Sequence, residues 1–312
     1  MLPLKFTWNP VSGFDLGFIT IHIYSLMFVV SFVLGIQLMK RIYKREGESE
    51  EKLDSLFVYM VVGILLGARL GHVLFYQTEL LWEDPLSVIL PFSFVPEIEY
   101  TGFRGLASHG AAILAPIALY YYNKKVLHRT FLWIIDRVVI TCALGAIFVR
   151  IGNFFNSEMV GKVIENPESN PLAIRFVQDE ITEGRATRIT GIKDGAKAIQ
   201  AITDDPQFAS VLAEIPYRYP GQLMESFGYV IVFATLMYLY WKTDIGKKPG
   251  RLLGVFFLML MGVRLVVEYF KREQVVGRED LFLGLNTGQL LSIPFIILGL
   301  YLLFRPLPQK TV

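Results

Sequence analysis

Charged side chains are rare inside the apolar stretches of this sequence, and those that occur are of types that carry out chemistry. Arginine binds a phosphate group through two parallel N–H groups, and histidine and glutamate transfer protons. A charged group at membrane depth costs about 3 kcal/mol or more, so each one is a candidate functional residue. The candidates are Arg69, His72, His109, Arg150, Glu225, Arg264 and Glu268, with the uncharged Tyr24 and Gln289.

Helical spacing groups several of these candidates. Arg264 and Glu268 are four residues apart, so they share a helical face and are predicted to form an ion pair. Arg150 lies three residues before Asn153, and Asn156 and Glu158 follow where the apolar stretch ends. Arginines near a histidine and glutamates suit a substrate that carries a phosphate group and exchanges a proton.

The sequence gives no sign of a metal centre or of a nucleophile supplied by the protein. Its four histidines include no His-x-x-x-His pair, and Cys142 is its single cysteine. It contains neither a glycine-rich phosphate loop nor a Gly-x-Ser-x-Gly motif. The sequence therefore predicts a phospholipid-using site that needs no metal or other cofactor.

The apolar stretches that carry these residues define the class of protein. Of 312 residues, 53% are hydrophobic and only 19% are charged, whereas a soluble chain has about 25% charged residues. Runs of roughly 18 to 24 apolar residues cross the hydrocarbon core as helices. We predict an all-α polytopic membrane protein and exclude a disordered chain, a disulfide scaffold and a soluble enzyme. The net charge of +2 gives no indication of a nucleic-acid partner. The seven predicted transmembrane helices are 17–39, 54–76, 105–123, 131–152, 221–241, 251–270 and 288–304.

Basic residues in the short connections predict the orientation. One side holds 14 of them: Lys40, Arg41, Lys44, Arg45, Lys52, Lys124, Lys125, Arg129, Lys242, Lys247, Lys248, Arg251, Arg305 and Lys310. The other side holds 5: Lys5, Arg104, Lys271, Arg272 and Arg278. Since cytoplasmic loops are the more basic, we expect an outside N-terminus and a cytoplasmic C-terminus. All the polar candidates then lie in the outer half of the bilayer.

The predicted spans divide the chain into three parts. Residues 1–156 hold helices one to four, with an outer interfacial segment at 77–104, and residues 220–312 hold helices five to seven. Residues 157–219 are predicted to form a small extracytoplasmic insert, either α+β or helical. Its predicted core is Phe176, Val177, Ile192, Ile199 and Phe208.

The ordered motifs of the chain resemble those of the prolipoprotein diacylglyceryl transferases. The stretch Arg150-Ile-Gly-Asn153-Phe-Phe-Asn156-Ser-Glu158-Met-Val-Gly161 is similar to that family's signature, Arg-x-Gly-Asn-x-x-Asn-x-Glu-x-x-Gly. The resemblance covers all seven predicted spans. The further matching pieces are Ile23-Tyr24, Gly67-Ala-Arg69-Leu-Gly, Ser108-His109-Gly110, Tyr219-Pro-Gly-Gln222-Leu-Met-Glu225, Arg264-x-x-x-Glu268-Tyr-Phe270 and Gly288-Gln289.

The resemblance implies an enzyme of the bacterial cytoplasmic (inner) membrane. Such an enzyme moves the diacylglyceryl group of phosphatidylglycerol to the lipobox cysteine of a prolipoprotein and releases glycerol phosphate. By resemblance, Arg150 and Arg264 stabilise the leaving phosphate, and His109 is the base for the thiol, with Glu158 as the alternative. The implied phosphatidylglycerol-binding residues are Tyr24, Arg69, Asn153, Asn156, Gly161, Gln222, Glu225, Glu268 and Gln289.

Two other functions compete with this interpretation. A transporter or channel would place its polar groups at the bilayer midplane and continue them to the inside, whereas here they stop in the predicted outer half. A different phospholipid headgroup enzyme, such as a phosphatase or acyltransferase, would use a protein nucleophile or a set of metal ligands.

Overall fold

The structure is a computed structural model that describes residues 6–11, 13–15, 17, 20–101, 105–272 and 285–306. The orientation prediction also used Lys5, Arg104, Arg278 and Lys310, which lie outside the described residues. The α-helices are α1 (Ile23–Glu46), α2 (Glu50–Tyr76), α3 (Leu80–Glu83), α4 (Ser108–Tyr122), α5 (Phe131–Phe155), α6 (Val177–Glu180), α7 (Glu183–Thr190), α8 (Gly195–Asp204), α9 (Ala209–Glu214), α10 (Gly221–Lys242), α11 (Arg251–Glu268) and α12 (Thr287–Phe304). The strands are β1 (Phe6–Trp8), β2 (Gly13–Asp15), β3 (Thr20–His22), β4 (Phe92–Ser93), β5 (Glu99–Tyr100), β6 (Ile174–Phe176) and β7 (Tyr217–Arg218).

The long helices have the length and surface of membrane-spanning segments. Among the described residues, five helices are long and apolar enough to cross a membrane, namely α1, α2, α5, α10 and α12. Large apolar side chains such as Val58, Phe227 and Ile297 are exposed along them, as expected where a helix faces lipid. The chain is a mostly helical membrane protein.

The two remaining predicted spans are also helical but differ in length or charge. Helix α4 has 15 residues and continues as a π-helix over Asn123–Leu127. Helix α11 has 18 residues and includes Arg251, Arg264 and Glu268. The first predicted span, 17–39, is shifted along the chain, because residues Thr20–His22 pair with Gly13–Asp15 as a hairpin and α1 continues to Glu46.

The chain divides into two compact units, and the smaller comprises Ile36–Arg137. Its helices α2 and α4 pack through glycines, which allow the two backbones to approach closely. A Cβ atom added at Gly110 would lie 2.0 Å from the carbonyl oxygen of Gly67 and 2.7 Å from the Cα of Gly71. This unit also contains α3 and the short hairpin of β4 and β5.

The larger unit comprises Met1–Gly35 and Val138–Val312. In it, α11 packs against both α10 and α12. Gly228 of α10 faces Val263, and the backbones of Gly254 and Gly299 meet where α11 crosses α12. Helix α12 begins with a capping box, in which the Asn286 side chain accepts from the Gln289 backbone N–H and the Gln289 side chain accepts in return.

Residues 157–219 of the larger unit form a small α+β structure. Strand β6 lies between β1, which runs parallel to it, and β7, which runs antiparallel. Helices α7 and α8 begin at the capping side chains Thr182 and Asp194. Beside them, a buried apolar core contains Val177, Ile181, Ala186, Ala198, Ile199, Ile202 and Ile215, with Ile192 and Phe208 against it. Phe176 lies outside this core and packs on Phe154 and Val160 instead.

Candidate functional site

Arg150 and Glu225 form an ion pair inside the larger unit. The Nε atom of Arg150, near the end of α5, lies 2.7 Å from Oε2 of Glu225, in the second turn of α10. The Glu225 side chain is 0% exposed. A carboxylate removed from water in this way requires a cation beside it, so the two residues hold α5 and α10 in a fixed relation.

Lys271 extends this ion pair toward the end of α11. Its Nζ lies 2.9 Å from Oε1 of Glu225 and 3.4 Å from Oε2 of Glu268, and its side chain is 4% exposed. We call Arg150, Glu225, Glu268 and Lys271 the buried ion network. From sequence, Lys271 was predicted only as a loop charge, although its i,i+3 spacing from Glu268 is a signal for pairing.

Arg264 has a different environment from the one expected. Glu268 pairs with Lys271, and among the described residues neither a hydrogen bond nor an ion pair joins Glu268 to Arg264. The predicted Arg264–Glu268 pair is therefore wrong, and the Arg264 Nε atom is buried without a hydrogen-bond partner in this part of the chain. The Tyr229 hydroxyl, 3.5 Å from Glu225, lies within electrostatic range of both Arg150 and Arg264. Both arginines therefore lie near the Tyr229 side chain.

A turn after α5 connects Arg150 to Glu158. Arg150 Nη1 donates to Asn153 Oδ1 at 3.1 Å, and Asn153 Nδ2 donates to Glu158 Oε2 at 3.2 Å. Asn156 Nδ2 donates to the other carboxylate oxygen, also at 3.2 Å. Ser157 and Met159 on either side have positive φ angles of 54° and 60°, a costly conformation for residues with a side chain. With this backbone conformation the Glu158 side chain is exposed, and each of its carboxylate oxygens accepts a hydrogen bond from one asparagine side chain.

Gln222 and Gly161 fix the position of that turn. Fully buried Gln222 donates from Nε2 to the backbone carbonyl of Glu158, which ties the first turn of α10 to the end of α5. At Gly161, an added Cβ would lie 2.5 Å from the Tyr219 carbonyl oxygen and 2.6 Å from that of Phe270. Glycine is needed here because three backbone segments meet.

Tyr24 and Gln289 lie at the beginnings of α1 and α12. The Tyr24 ring covers Gly152 of α5, where an added Cβ would approach it to 2.8 Å. Gln289 is buried, caps α12 and donates to the Leu265 carbonyl of α11 at 3.4 Å. Beside it, Gly288 leaves room for the Glu268 carboxylate. The predicted site residues of this unit therefore lie near the ends of five helices, α1, α5, α10, α11 and α12.

The remaining predicted residues belong to the Ile36–Arg137 unit. His109 is exposed in the first turn of α4, directly before the Gly110 contact with α2. Arg69 donates from Nη2 to the Ser87 carbonyl at 2.7 Å and from Nε to the Val88 carbonyl at 3.1 Å. Its guanidinium thus anchors the loop after α3. His72 lies 3.2 Å from the Gln77 side-chain oxygen.

A family model described as prolipoprotein diacylglyceryl transferase matches residues 12–305, nearly the whole chain. The chain belongs to the prolipoprotein diacylglyceryl transferase family. The family resemblance of the sequence motifs is confirmed.

Curated relatives match over the same extent. A protein of Chloroherpeton thalassium named phosphatidylglycerol–prolipoprotein diacylglyceryl transferase is 32% identical over 298 residues, covering 95% of this chain and 92% of the relative. A protein of the same name from Porphyromonas gingivalis is 31% identical and covers 99% of each chain. A third, from Tolumonas auensis, is 30% identical and covers 95% of each.

Proposed function

We propose that this chain transfers the diacylglyceryl group of phosphatidylglycerol to the lipobox cysteine of prolipoproteins, the reaction that its relatives are named for. The observation that carries the proposal is the arrangement of Arg150 and Arg264. One guanidinium is fixed by Glu225 and Asn153, and the other has no carboxylate partner among the described residues. Such a pair can bind a phosphate group without first breaking an ion pair of Arg264.

The reaction explains why a cationic site suffices. The thiolate sulfur of the substrate cysteine attacks the primary glycerol carbon that carries the phosphodiester. A carbon–sulfur bond forms, the carbon–oxygen bond breaks, and glycerol phosphate leaves with the bonding electrons. Negative charge moves from sulfur to the phosphate, so cations oriented in advance lower the barrier. The nucleophile belongs to the prolipoprotein.

The thiol proton must pass to a base, and we assign this role to His109 by family resemblance. Imidazole is the side chain that most readily exchanges a proton in the physiological pH range. Glu158 is the alternative, and its bonds to Asn153 and Asn156 favour instead a role in orienting Arg150 through Asn153. We propose that Tyr24, Gln222, Glu268 and Gln289 shape the headgroup pocket or hold the arginines.

The direct test uses purified protein, phosphatidylglycerol vesicles and a synthetic lipobox peptide. We expect mass spectrometry to detect a peptide that carries a thioether-linked diacylglyceryl group, together with released glycerol phosphate. The control peptide, with serine in place of the lipobox cysteine, should give no adduct. An absent adduct with the cysteine peptide would refute the proposal, and full activity of His109→Asn would transfer the base role to Glu158 or water.

We further propose that seven helices cross the membrane, with α4 and α11 joining the five more apolar ones, the N-terminus outside and the C-terminus in the cytoplasm. The predicted polar residues then lie at outer-leaflet depth, where phosphatidylglycerol of the outer leaflet presents its headgroup. The charge difference between the two sets of connections supports this orientation.

Labelling of single cysteines in intact cells tests the orientation, after Cys142 is replaced by serine. A membrane-impermeant maleimide should label a cysteine at exposed Lys193 of the insert and leave one at exposed Lys247 unlabelled until the cells are permeabilised. The reverse pattern would overturn the proposed orientation.

A further inference from the structure

Lys271 is a buried cation that the proposed reaction leaves without a role. Its ammonium group contacts the carboxylates of both Glu225 and Glu268. Its backbone is also fixed, because its N–H donates to the Glu268 carbonyl at 3.3 Å and the residue pairs with Gly161 in an antiparallel bridge. The side chain and the backbone therefore hold this ammonium group at one position, where α11 meets the segment after Glu158.

The environment of Glu225 explains why a second cation is needed there. Glu225 is fully buried and presents one carboxylate oxygen to Arg150 and the other to Lys271. Without Lys271, Arg150 would be the remaining counter-charge for this carboxylate, and Glu268 would lose its ion pair. A phosphate that approached Arg150 would then compete directly with Glu225, because both would need the same guanidinium charge.

The charges of the region match those of a phosphodiester. Three cations, Arg150, Arg264 and Lys271, accompany two buried carboxylates, Glu225 and Glu268, which leaves one positive charge in surplus. Glu158 is exposed to solvent and hydrogen-bonded to asparagines, so water screens its charge. A phospholipid headgroup of this class carries one negative charge on its phosphodiester, and a second negative charge develops there as the monoester leaves.

We propose that Lys271 is a positioning residue for this reaction: by neutralising Glu225 it leaves the charge of Arg150 available to the phosphate of the lipid substrate. The inference rests on the proposed diacylglyceryl transfer. It predicts that Lys271 affects turnover more than substrate binding, because the phosphate gains negative charge only as the bond breaks.

The test compares kcat and KM of purified variants in the vesicle and lipobox-peptide assay. We expect Lys271→Met to lower kcat by about tenfold or more, with a smaller change in KM for phosphatidylglycerol. Lys271→Arg keeps the charge and should stay within about fivefold of wild type. Lys247→Met is the matched control, because that lysine is 79% exposed, pairs only at the surface with Asp244 and should leave kcat unchanged.

A double variant separates the proposed role from a purely structural one. In Lys271→Met/Glu225→Gln, the buried carboxylate that Lys271 neutralises has lost its charge, while a polar amide of nearly the same shape remains beside Arg150. We therefore expect a higher kcat for the double variant than for Lys271→Met alone. If Lys271→Met does not insert into the membrane, the double variant is compared with Glu225→Gln, and similar kcat values would support the proposal.

Two results would overturn the inference. One is a Lys271→Met protein with wild-type kcat and only a lower thermal unfolding midpoint, which would make Lys271 purely structural. The other is a double variant with a kcat no higher than that of Lys271→Met or, where only the alternative comparison is possible, well below that of Glu225→Gln. Adduct formation by the wild-type enzyme in the same assay keeps the proposed function intact in either case, whereas a wild-type enzyme without product would refute the proposed function itself.

Discussion

In the larger unit, ion pairs hold the predicted site residues, whereas in the Ile36–Arg137 unit they are positioned by backbone contacts. Arg150 is held by the Glu225 carboxylate, and Glu225 in turn by Lys271. His109 instead precedes a glycine that touches the backbone of α2, and Arg69 donates to two loop carbonyls. The first arrangement depends on ion pairs, and the second on backbone groups, namely the Gly110 contact and the carbonyls that accept from Arg69.

The difference teaches how each unit responds to substitution. A buried ion pair that loses one partner leaves an uncompensated charge, which costs about 3–5 kcal/mol. Two helices that contact each other through glycines can no longer pack as closely when a single methyl group is added, because densely packed backbones cannot move apart locally. The Nε atom of Arg264 is buried and has no hydrogen-bond partner in the described part of the chain.

The largest expected effect is the loss of turnover when either arginine of the larger unit is replaced. We expect Arg150→Ala and Arg264→Ala each to lower turnover by about a hundredfold or more, since each removes a donor to the leaving phosphate. Only Arg150→Ala should also lower the thermal unfolding midpoint, because, of the two arginines, Arg150 alone pairs with a buried carboxylate among the described residues. Turnover and thermal unfolding of the same purified samples test this.

An equal drop in the thermal unfolding midpoint of Arg264→Ala and Arg150→Ala would contradict this distinction between the arginines. That result would mean that Arg264 has a structural partner. Wild-type turnover in either variant would remove that arginine from the proposed mechanism. Lys40→Ala is a suitable control, because it breaks a surface pair in which the Lys40 and Glu50 side chains are 57% and 69% exposed, and we expect a loss of at most about 1 kcal/mol.

A smaller effect is expected at the glycine contact of the Ile36–Arg137 unit. Gly110→Ala places a methyl group 2.0 Å from the Gly67 oxygen, and we expect a loss of about 1–3 kcal/mol in unfolding free energy. Gly262→Ala in α11 is the matched control, since nothing lies within 4 Å of the added atom. Alanine there should be neutral or stabilising by about 1 kcal/mol. Equal stability of the two variants, measured by denaturant or thermal unfolding, would contradict the backbone-contact explanation.

Much of the candidate site was predictable from sequence, because rare polar residues in apolar helices stand out by composition alone. Asn156 and Glu158 were placed correctly beyond the end of a helix, since the apolar run stops there. The Arg264–Glu268 pair was not predicted correctly, because i,i+4 spacing permits contact without requiring it. Lys271 was missed because it follows the predicted end of a span, where a basic residue usually faces solvent.

The sequence by itself determined the helical membrane class, the family and the short list of polar residues. These follow from hydropathy and local motifs, which do not depend on how the helices are arranged. Only the tertiary structure decided that Glu225 is shared by Arg150 and Lys271, and that Gly161 lies where three backbone segments meet. The physical reason is that each residue turns a helix by about 100°, so small differences in rotation and packing change which side chains meet.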